Sequence, residues 1–117
     1  MLDLIIKNGK CYIDGQLKDV NISVKDGKIQ KIGQITEDAK DTIDATGLIV
    51  LPGCMDTQTH FREPGSTDTE DLHSGSRAAI VGGITSVFEM PNTNPPTSTK
   101  KEFQRKLDLA KNRMYCN

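Results

Sequence analysis

Two short stretches of the sequence gather side chains that could bind or activate a small polar molecule. Residues 56–65 read Asp-Thr-Gln-Thr-His-Phe-Arg-Glu-Pro-Gly and supply carboxylates, an imidazole and a guanidinium. Residues 90–95 read Met-Pro-Asn-Thr-Asn-Pro and supply side-chain amides. An imidazole can ligate a divalent metal, and a guanidinium can hold a carboxylate through two hydrogen bonds. These residue types predict a site for a small polar substrate.

Gln58 and His60 are separated by one residue. Side chains at this spacing at the end of a strand face the same side, which suits a metal when both are histidines. Only His60 is a histidine here. Metal binding and a structural or merely exposed role therefore both stay open for it.

Arg62 and Asn92 also have ordinary interpretations. Arg62 could form a surface salt bridge with Glu63 or Asp68, and Asn92 could be a turn residue between prolines. His73 falls within a predicted helix, where an exposed or structural role is expected.

The elements around these stretches predict where they lie. Residues 48–51, Leu-Ile-Val-Leu before Pro-Gly, predict a strand buried on both faces, and residues 84–90 predict another strand. Each polar stretch follows one of these strands. Because active sites of β/α barrels lie at the carboxyl ends of the strands, both stretches are expected at one edge.

Two helices are predicted after these stretches. A Thr-x-x-Glu capping pattern at residues 67–70 opens the first, which ends at the glycines of residues 82–83. The same pattern at residues 99–102 opens the second. Alternating strands and helices imply parallel strands with crossover helices, and residues 115–117 could begin a third strand. The second helix is expected to pack through an apolar face of Phe103, Leu107, Ala110 and Met114.

Residues 1–47 have the pattern of an all-β segment. Short alternating apolar runs are separated by Asn-Gly and Asp-Gly turns. Residues 22–24 and 29–32 flank Asp26-Gly27, which predicts a hairpin with a type I′ turn.

Composition excludes several classes of protein. Among 117 residues, 35% are apolar and 26% charged, which is typical of a globular protein rather than a disordered one. A net charge of -1 and 4% aromatic residues argue against nucleic acid as a partner. No apolar run is long enough to cross a bilayer and no signal peptide is evident, so a cytoplasmic protein is predicted. Cys11, Cys54 and Cys116 are expected to be reduced and mostly structural.

The motifs together resemble those of dihydroorotases and related cyclic amidohydrolases. Residues 56–65 are similar to the family's Asp-x-His-x-His-Phe-Arg-Glu-Pro-Gly segment, and residues 82–85 and 90–95 give further matches in the family's order. The resemblance implies an α/β fold. A β-sandwich portion is expected over residues 1–47, and the first two β/α units of a truncated TIM-type barrel over residues 48–117.

The resemblance also implies roles for individual residues. His60 resembles a metal ligand, Gln58 stands in the place of an expected histidine ligand, and Asp56 resembles a residue that steadies the site. Arg62 and Asn92 resemble the pair that holds the carboxylate of the substrate. Glu89 and Thr93 could line the pocket, although nothing in the sequence distinguishes them from other residues at strand ends.

The activity implied is that of a zinc enzyme that reversibly opens dihydroorotate to N-carbamoyl-aspartate in pyrimidine biosynthesis. Further metal ligands and a general acid/base are expected beyond residue 117, because a barrel takes about 250 residues. C-terminal truncation and an inactive isolated chain are therefore expected, with a homo-oligomer among the possible assemblies. Two alternatives stay open: a non-catalytic homologue that assembles with aspartate transcarbamoylase, and an allantoinase or hydantoinase relative.

Overall fold

The computed structural model describes all 117 residues, in two units that are described separately, Met1–Pro52 and Gly53–Asn117. The first unit is all β, as predicted. It contains a four-stranded sheet of order β5-β4-β1-β6 and a three-stranded sheet of order β3-β2-β7. The strands are β1 (Leu2–Lys7), β2 (Lys10–Ile13), β3 (Gln16–Asp19), β4 (Asn21–Lys25), β5 (Lys28–Gly33), β6 (Ala39–Asp44) and β7 (Ile49–Val50).

The turn between β4 and β5 has the geometry that the sequence predicted. β4 and β5 pair antiparallel, and the two residues between them, Asp26 and Gly27, have φ of 51° and 71°. These positive angles at both turn positions are those of the predicted type I′ turn. Side chains from both sheets line a small cavity of ≈ 110 Å³. The most buried apolar side chains of the unit are Leu2, Cys11, Ile22 and Ala45.

The second unit contains two strand–helix pairs in the predicted order: β8 (Cys54–Thr59), α1 (Leu72–Val81), β9 (Ile84–Glu89) and α2 (Lys100–Ala110). β8 and β9 pair in parallel, and α1 is the crossover between them. The mixed α/β class is confirmed, whereas the closed barrel stays a prediction. Neither helix is both long enough and apolar enough to span a membrane.

The prediction of a buried strand at residues 48–51 that leads to the site is wrong. Only Ile49–Val50 is extended, it pairs with β2 of the first unit, and Leu48, Ile49 and Leu51 are each 59% exposed. The strand that carries the motif is β8, whose sequence Cys-Met-Asp-Thr-Gln-Thr has little apolar character. Hydrophobicity therefore indicated the wrong segment, and the predicted division after residue 47 falls a few residues before the observed one.

The two helices confirm some predicted boundaries and correct others. α1 ends at Gly82 and Gly83, as predicted. It does not begin with the pattern at residues 67–70, because Asp71 is its N-cap and accepts a hydrogen bond from the Ser74 N–H. Thr99 caps α2 as predicted, since its hydroxyl accepts from the Glu102 N–H.

The apolar face predicted for α2 is not buried in this chain. Phe103 is 57% and Leu107 48% exposed, and Met114 lies beyond the end of the helix. The most buried residue of α2 is instead Lys106, because its ammonium is paired with a carboxylate of β9.

The last residues run beside β9. The N–H of Asn117 donates to the carbonyl of Thr85, and the carbonyl of Asn117 accepts from the N–H of Val87. This is the hydrogen-bond pattern of a single parallel bridge, and residues 115–117 form no strand here, so the third strand stays a prediction. Cys116 is buried next to it, and all three cysteines of the chain are free thiols.

Candidate functional site

The candidate site lies at the carboxyl ends of the parallel strands β8 and β9. Thr59, the last residue of β8, is the register partner of Glu89, the last residue of β9. The N–H of Met90 donates to the carbonyl of Thr59 at 2.8 Å, which joins the two strand ends. The loops that leave these ends therefore start side by side, and they carry His60 and Asn92.

His60 and Asn92 are in direct contact. The His60 Nδ1 lies 2.8 Å from the Asn92 Oδ1, and both side chains are exposed. Because an amide oxygen only accepts hydrogen bonds, the Nδ1 carries the proton in this arrangement. The Nε2 of a neutral imidazole is then free to accept a proton or to bind a metal, as in metal sites where histidine donates its other N–H to a carbonyl.

Asp56 and Gln58 lie within β8 rather than in the loop after it. The Asp56 Oδ1 accepts a hydrogen bond from the Gln58 N–H at 2.9 Å. Asp56 thus stabilises the backbone two residues before His60, and the role that the resemblance implied for it stays a prediction. Gln58 itself is exposed.

Arg62 is exposed, and it forms no ion pair in the chain. The alternative of a surface salt bridge with Glu63 or Asp68 is therefore wrong. Its neighbour Glu63 is engaged elsewhere, so the Arg62 guanidinium remains free for a ligand. Its carbonyl accepts from the Ser66 N–H at 2.8 Å, which closes a tight turn after the arginine.

Glu63 anchors the loop that carries His60 and Arg62. Its two carboxylate oxygens accept hydrogen bonds from the Arg113 guanidinium at 2.8 and 2.9 Å, and Oε2 also accepts from the Leu72 N–H at the start of α1. These hydrogen bonds, with Arg113 the largest effect, hold the pKa of Glu63 below its ordinary value although burial opposes the shift. The loop is thereby fixed at its base.

Close contacts at two glycines complete the anchoring. A Cβ on Gly75 in α1 would lie 2.7 Å from the ring of Phe61, which is 5% exposed. Gly65 has φ of +120°, and a Cβ there would meet the backbone and Cβ of Asn94 at 2.7 Å. The Asn94 N–H donates to the carbonyl of Pro64 at 3.0 Å. The loops after β8 and β9 are thus held against each other.

Three other residues considered from the sequence have separate roles. Thr93 bonds within its own loop, to the carbonyl of Pro95 and the hydroxyl of Thr97. His73 is exposed and its ring contacts that of Tyr115 with centroids 5.0 Å apart. Glu89 is paired with Lys106 of α2, so it belongs to the base of the site.

The residues of this chain do not make a complete metal site. No group of three or more His, Cys, Asp or Glu side chains is placed to hold an ion. His60 offers one imidazole, Gln58 a neutral amide, and Asp56 already accepts from the Gln58 backbone. Structural and catalytic zinc sites use three or four protein ligands. The zinc centre implied by the resemblance therefore does not fit these 117 residues alone.

Sequence reasoning missed both long-range ion pairs that support the site, Glu63–Arg113 and Glu89–Lys106. The partners are 50 and 17 residues apart. Alternating charges on a helix surface are common, so nothing in the sequence singled out Arg113 or Lys106. The presence of a carboxylate at Glu63 directly after Arg62 gave no indication of its distant partner.

Comparisons with known proteins agree on one family. The family model described as "Amidohydrolase family" matches residues 49–115. Allantoinase from Escherichia coli is 48% identical over 113 residues, which cover 96% of this chain and 25% of that protein. Allantoinase from Salmonella choleraesuis is 46% identical over the same coverage. The chain thus spans about a quarter of the length of the curated relatives it matches.

Solved structures of hydantoinases superpose on nearly the whole chain. L-hydantoinase (dihydropyrimidinase) from Arthrobacter aurescens superposes with a TM-score of 0.86 at 36% identity, covering 100% of this chain and 27% of that one. D-hydantoinase (dihydropyrimidinase) from Thermus sp. gives 0.79 at 30% identity, covering 97% and 26%. These names match the allantoinase or hydantoinase alternative better than the dihydroorotase prediction.

Proposed function

Because this chain belongs to the amidohydrolase family, we propose that it forms the N-terminal part of a hydrolase that opens the ring of allantoin or a related cyclic ureide. The observation that carries the proposal is the 48% identity to an allantoinase across nearly the whole chain. Dihydroorotate, the substrate first inferred from the motifs, is the competing cyclic amide. The active site would lie at the carboxyl ends of β8 and β9.

Three side chains of this chain would act in that site. His60, with its Nδ1 held by Asn92, presents the Nε2 as the reactive nitrogen. Arg62 offers an unpaired cation, which suits the carbonyl oxygens of a ureide or a carboxylate. Asn92 keeps its amide N–H groups available as donors, since its oxygen is used by His60. These groups bind and orient the ring, and water activation is not assigned to them.

The isolated chain is proposed to be inactive, because no set of three ligating side chains is assembled in it. The relatives that it matches are about four times as long, since their aligned part is 25% of their length. The missing ligands and the general acid/base would come from regions that correspond to the rest of those proteins.

The test uses the product of the whole reading frame that carries this sequence, supplied with Zn²⁺. Ring opening is followed separately for allantoin, hydantoin and dihydroorotate. We expect turnover of allantoin or hydantoin at a kcat/KM at least about tenfold above that for dihydroorotate, a ratio worth about 1.4 kcal/mol in transition-state binding. Turnover of dihydroorotate alone would restore the dihydroorotase interpretation.

Gln58 supports a second candidate from another class, a non-catalytic homologue that assembles with aspartate transcarbamoylase. An amide oxygen is a weaker zinc ligand than imidazole, and the chain lacks a three-ligand group. Absence of turnover on all three substrates, together with co-elution with aspartate transcarbamoylase, would favour this candidate. The Gln58→His variant tests whether this side chain faces the site: bound zinc should rise if it does, and Gln16→His, exposed in β3, is the control.

A further inference from the structure

Arg113 lies just beyond the end of α2 and connects three elements of the second unit. Its guanidinium donates to both carboxylate oxygens of Glu63, at 2.8 and 2.9 Å. It also donates to the carbonyl of Leu109 at 3.0 Å and lies 3.5 Å from the carboxylate of Asp71, the N-cap of α1. One side chain therefore joins the loop after β8 to the start of α1 and the end of α2.

Glu63 and Arg62 are adjacent in sequence but have opposite environments. Glu63 is 6% exposed, and both of its carboxylate oxygens are occupied, because Oε2 also accepts from the Leu72 N–H at 2.9 Å. Arg62 is exposed and forms no ion pair. Of these two neighbouring side chains, one is bound inside the protein and the other is available to a ligand.

The backbone that joins these two residues is a tight turn. The carbonyl of Arg62 accepts from the N–H of Ser66 at 2.8 Å, and Glu63 is the first residue inside this turn. An arginine that binds a carboxylate through two parallel hydrogen bonds fixes the orientation of that carboxylate as well as its distance. The side chain of Glu63 thus restricts the turn, and the turn sets the position of the Arg62 backbone.

We propose that Arg113 is a positioning residue for Arg62, which acts through Glu63 to fix the turn from which the Arg62 guanidinium reaches the substrate. The inference rests on the proposed function in giving Arg62 a place in the site. It adds to that site a residue 50 positions after Glu63, outside both motif stretches.

The first test uses no substrate and is made in the 117-residue chain. Arg113→Lys keeps the positive charge but loses the planar fork that binds two oxygens at once. Arg105→Lys is the matched control, because Arg105 is a 54% exposed member of another ion pair. Exchange of the Ser66 and Met90 amide hydrogens with water is measured by NMR. The Met90 N–H donates to the carbonyl of Thr59, so it reports on the joined ends of β8 and β9.

We expect exchange at Ser66 to become about tenfold faster in R113K, as for loss of one charge-assisted hydrogen bond. Exchange at Met90 should keep its wild-type rate, and neither amide should change in R105K. A general loss of stability would instead accelerate Ser66 and Met90 together. That result, or a wild-type rate at Ser66, would overturn the proposal.

The second test makes the same substitutions in the product of the whole reading frame. On whichever of allantoin, hydantoin and dihydroorotate is opened best, R113K should raise KM about three- to tenfold with kcat within about twofold, because substrate binding is what the turn positions. A lower kcat at unchanged KM would indicate only a smaller folded fraction and would contradict the positioning role. Absence of turnover by the wild-type protein counts against the proposed function, and the exchange measurement then decides the role of Arg113.

A double variant covers the case in which R113K does not fold. Glu63→Gln with Arg113→Met removes both charges, so that no unpaired ion is left buried, and the glutamine oxygen can still accept from the Leu72 N–H. Faster exchange at Ser66, with wild-type exchange at Met90, is expected in this protein too. A wild-type rate at Ser66 here would also rule out positioning by Arg113.

Discussion

At the scale of single residues, His60 and Asn92 are in direct contact, although the motif assigned them separate roles. The resemblance assigned Asn92 to the substrate and His60 to a metal. Their 2.8 Å hydrogen bond links the two roles, because the Asn92 oxygen fixes the imidazole and its amide nitrogen remains for a ligand. Arg62, two residues after His60 in the same loop, is exposed and forms no ion pair of its own.

Arg62→Ala tests the binding role of this cation. Loss of a charge-assisted hydrogen bond to the substrate should raise KM about ten- to a hundredfold, corresponding to about 1.5–3 kcal/mol, with a smaller effect on kcat. Steady-state kinetics of the whole gene product on the substrate it opens best would measure this. Arg77→Ala, exposed on α1, is the control, and an unchanged KM in R62A would remove Arg62 from the site.

At the scale of elements, the start of α1 shows how a local pattern can be matched at the wrong place. The pattern at residues 67–70 predicted Thr67 as the cap, whereas the helix uses Asp71. The Asp71 carboxylate also lies 3.5 Å from the Arg113 guanidinium, whereas Thr67 lies in the preceding turn. The observed cap thus lies four residues after the predicted one, at a residue that also makes a tertiary contact.

Substitution of the predicted cap, Thr67, and of the observed cap, Asp71, gives a direct comparison. Asp71→Ala should lower the free energy of unfolding by about 1 kcal/mol, because the Ser74 N–H loses its acceptor. Thr67→Ala should change it by less than about 0.5 kcal/mol, as expected for a surface substitution. Urea unfolding followed by far-UV circular dichroism measures both, and a larger loss in T67A than in D71A would contradict the assigned cap.

At the scale of the whole molecule, the Glu63–Arg113 pair connects residues 50 positions apart within the second unit. The pKa of Glu63 is lowered from its ordinary value of 4.5, chiefly by Arg113. A carboxyl group with a depressed folded-state pKa contributes stability that is complete above the unfolded value and is lost as the pH falls through the folded value. The pair therefore stabilises the fold near neutral pH and weakens in acid.

Glu63→Gln should lower stability at pH 7 and flatten the loss of stability as the pH falls below 4.5, the ordinary pKa of the carboxyl group, because the wild-type pKa is lowered from that value. The loss at pH 7 should be about 1–3 kcal/mol, because Arg113 loses its charged partner. Urea unfolding at a series of pH values would measure this. Glu102→Gln, in the more exposed pair with Arg105, is the control and should keep the wild-type pH slope.

The sequence by itself determined the α/β class, the Asp26-Gly27 hairpin, the end of α1 and the cap of α2. These features depend on backbone angles and hydrogen bonds among neighbouring residues, which local residue types dictate. It also identified the stretches that hold His60, Arg62 and Asn92. The motif identified the family of these stretches correctly. The named relatives, however, are allantoinases and hydantoinases rather than the dihydroorotases inferred from the sequence.

Only the tertiary structure decided which strand carries the motif and what supports it. β8 is polar and was missed, because its place is set by pairing with β9 rather than by its own hydrophobicity. The ion pairs of Glu63 and Glu89 could not be predicted from the sequence either, since many lysines and arginines could have served as partners. Contacts between residues far apart in sequence depend on how the whole chain folds, and local sequence patterns do not predict them.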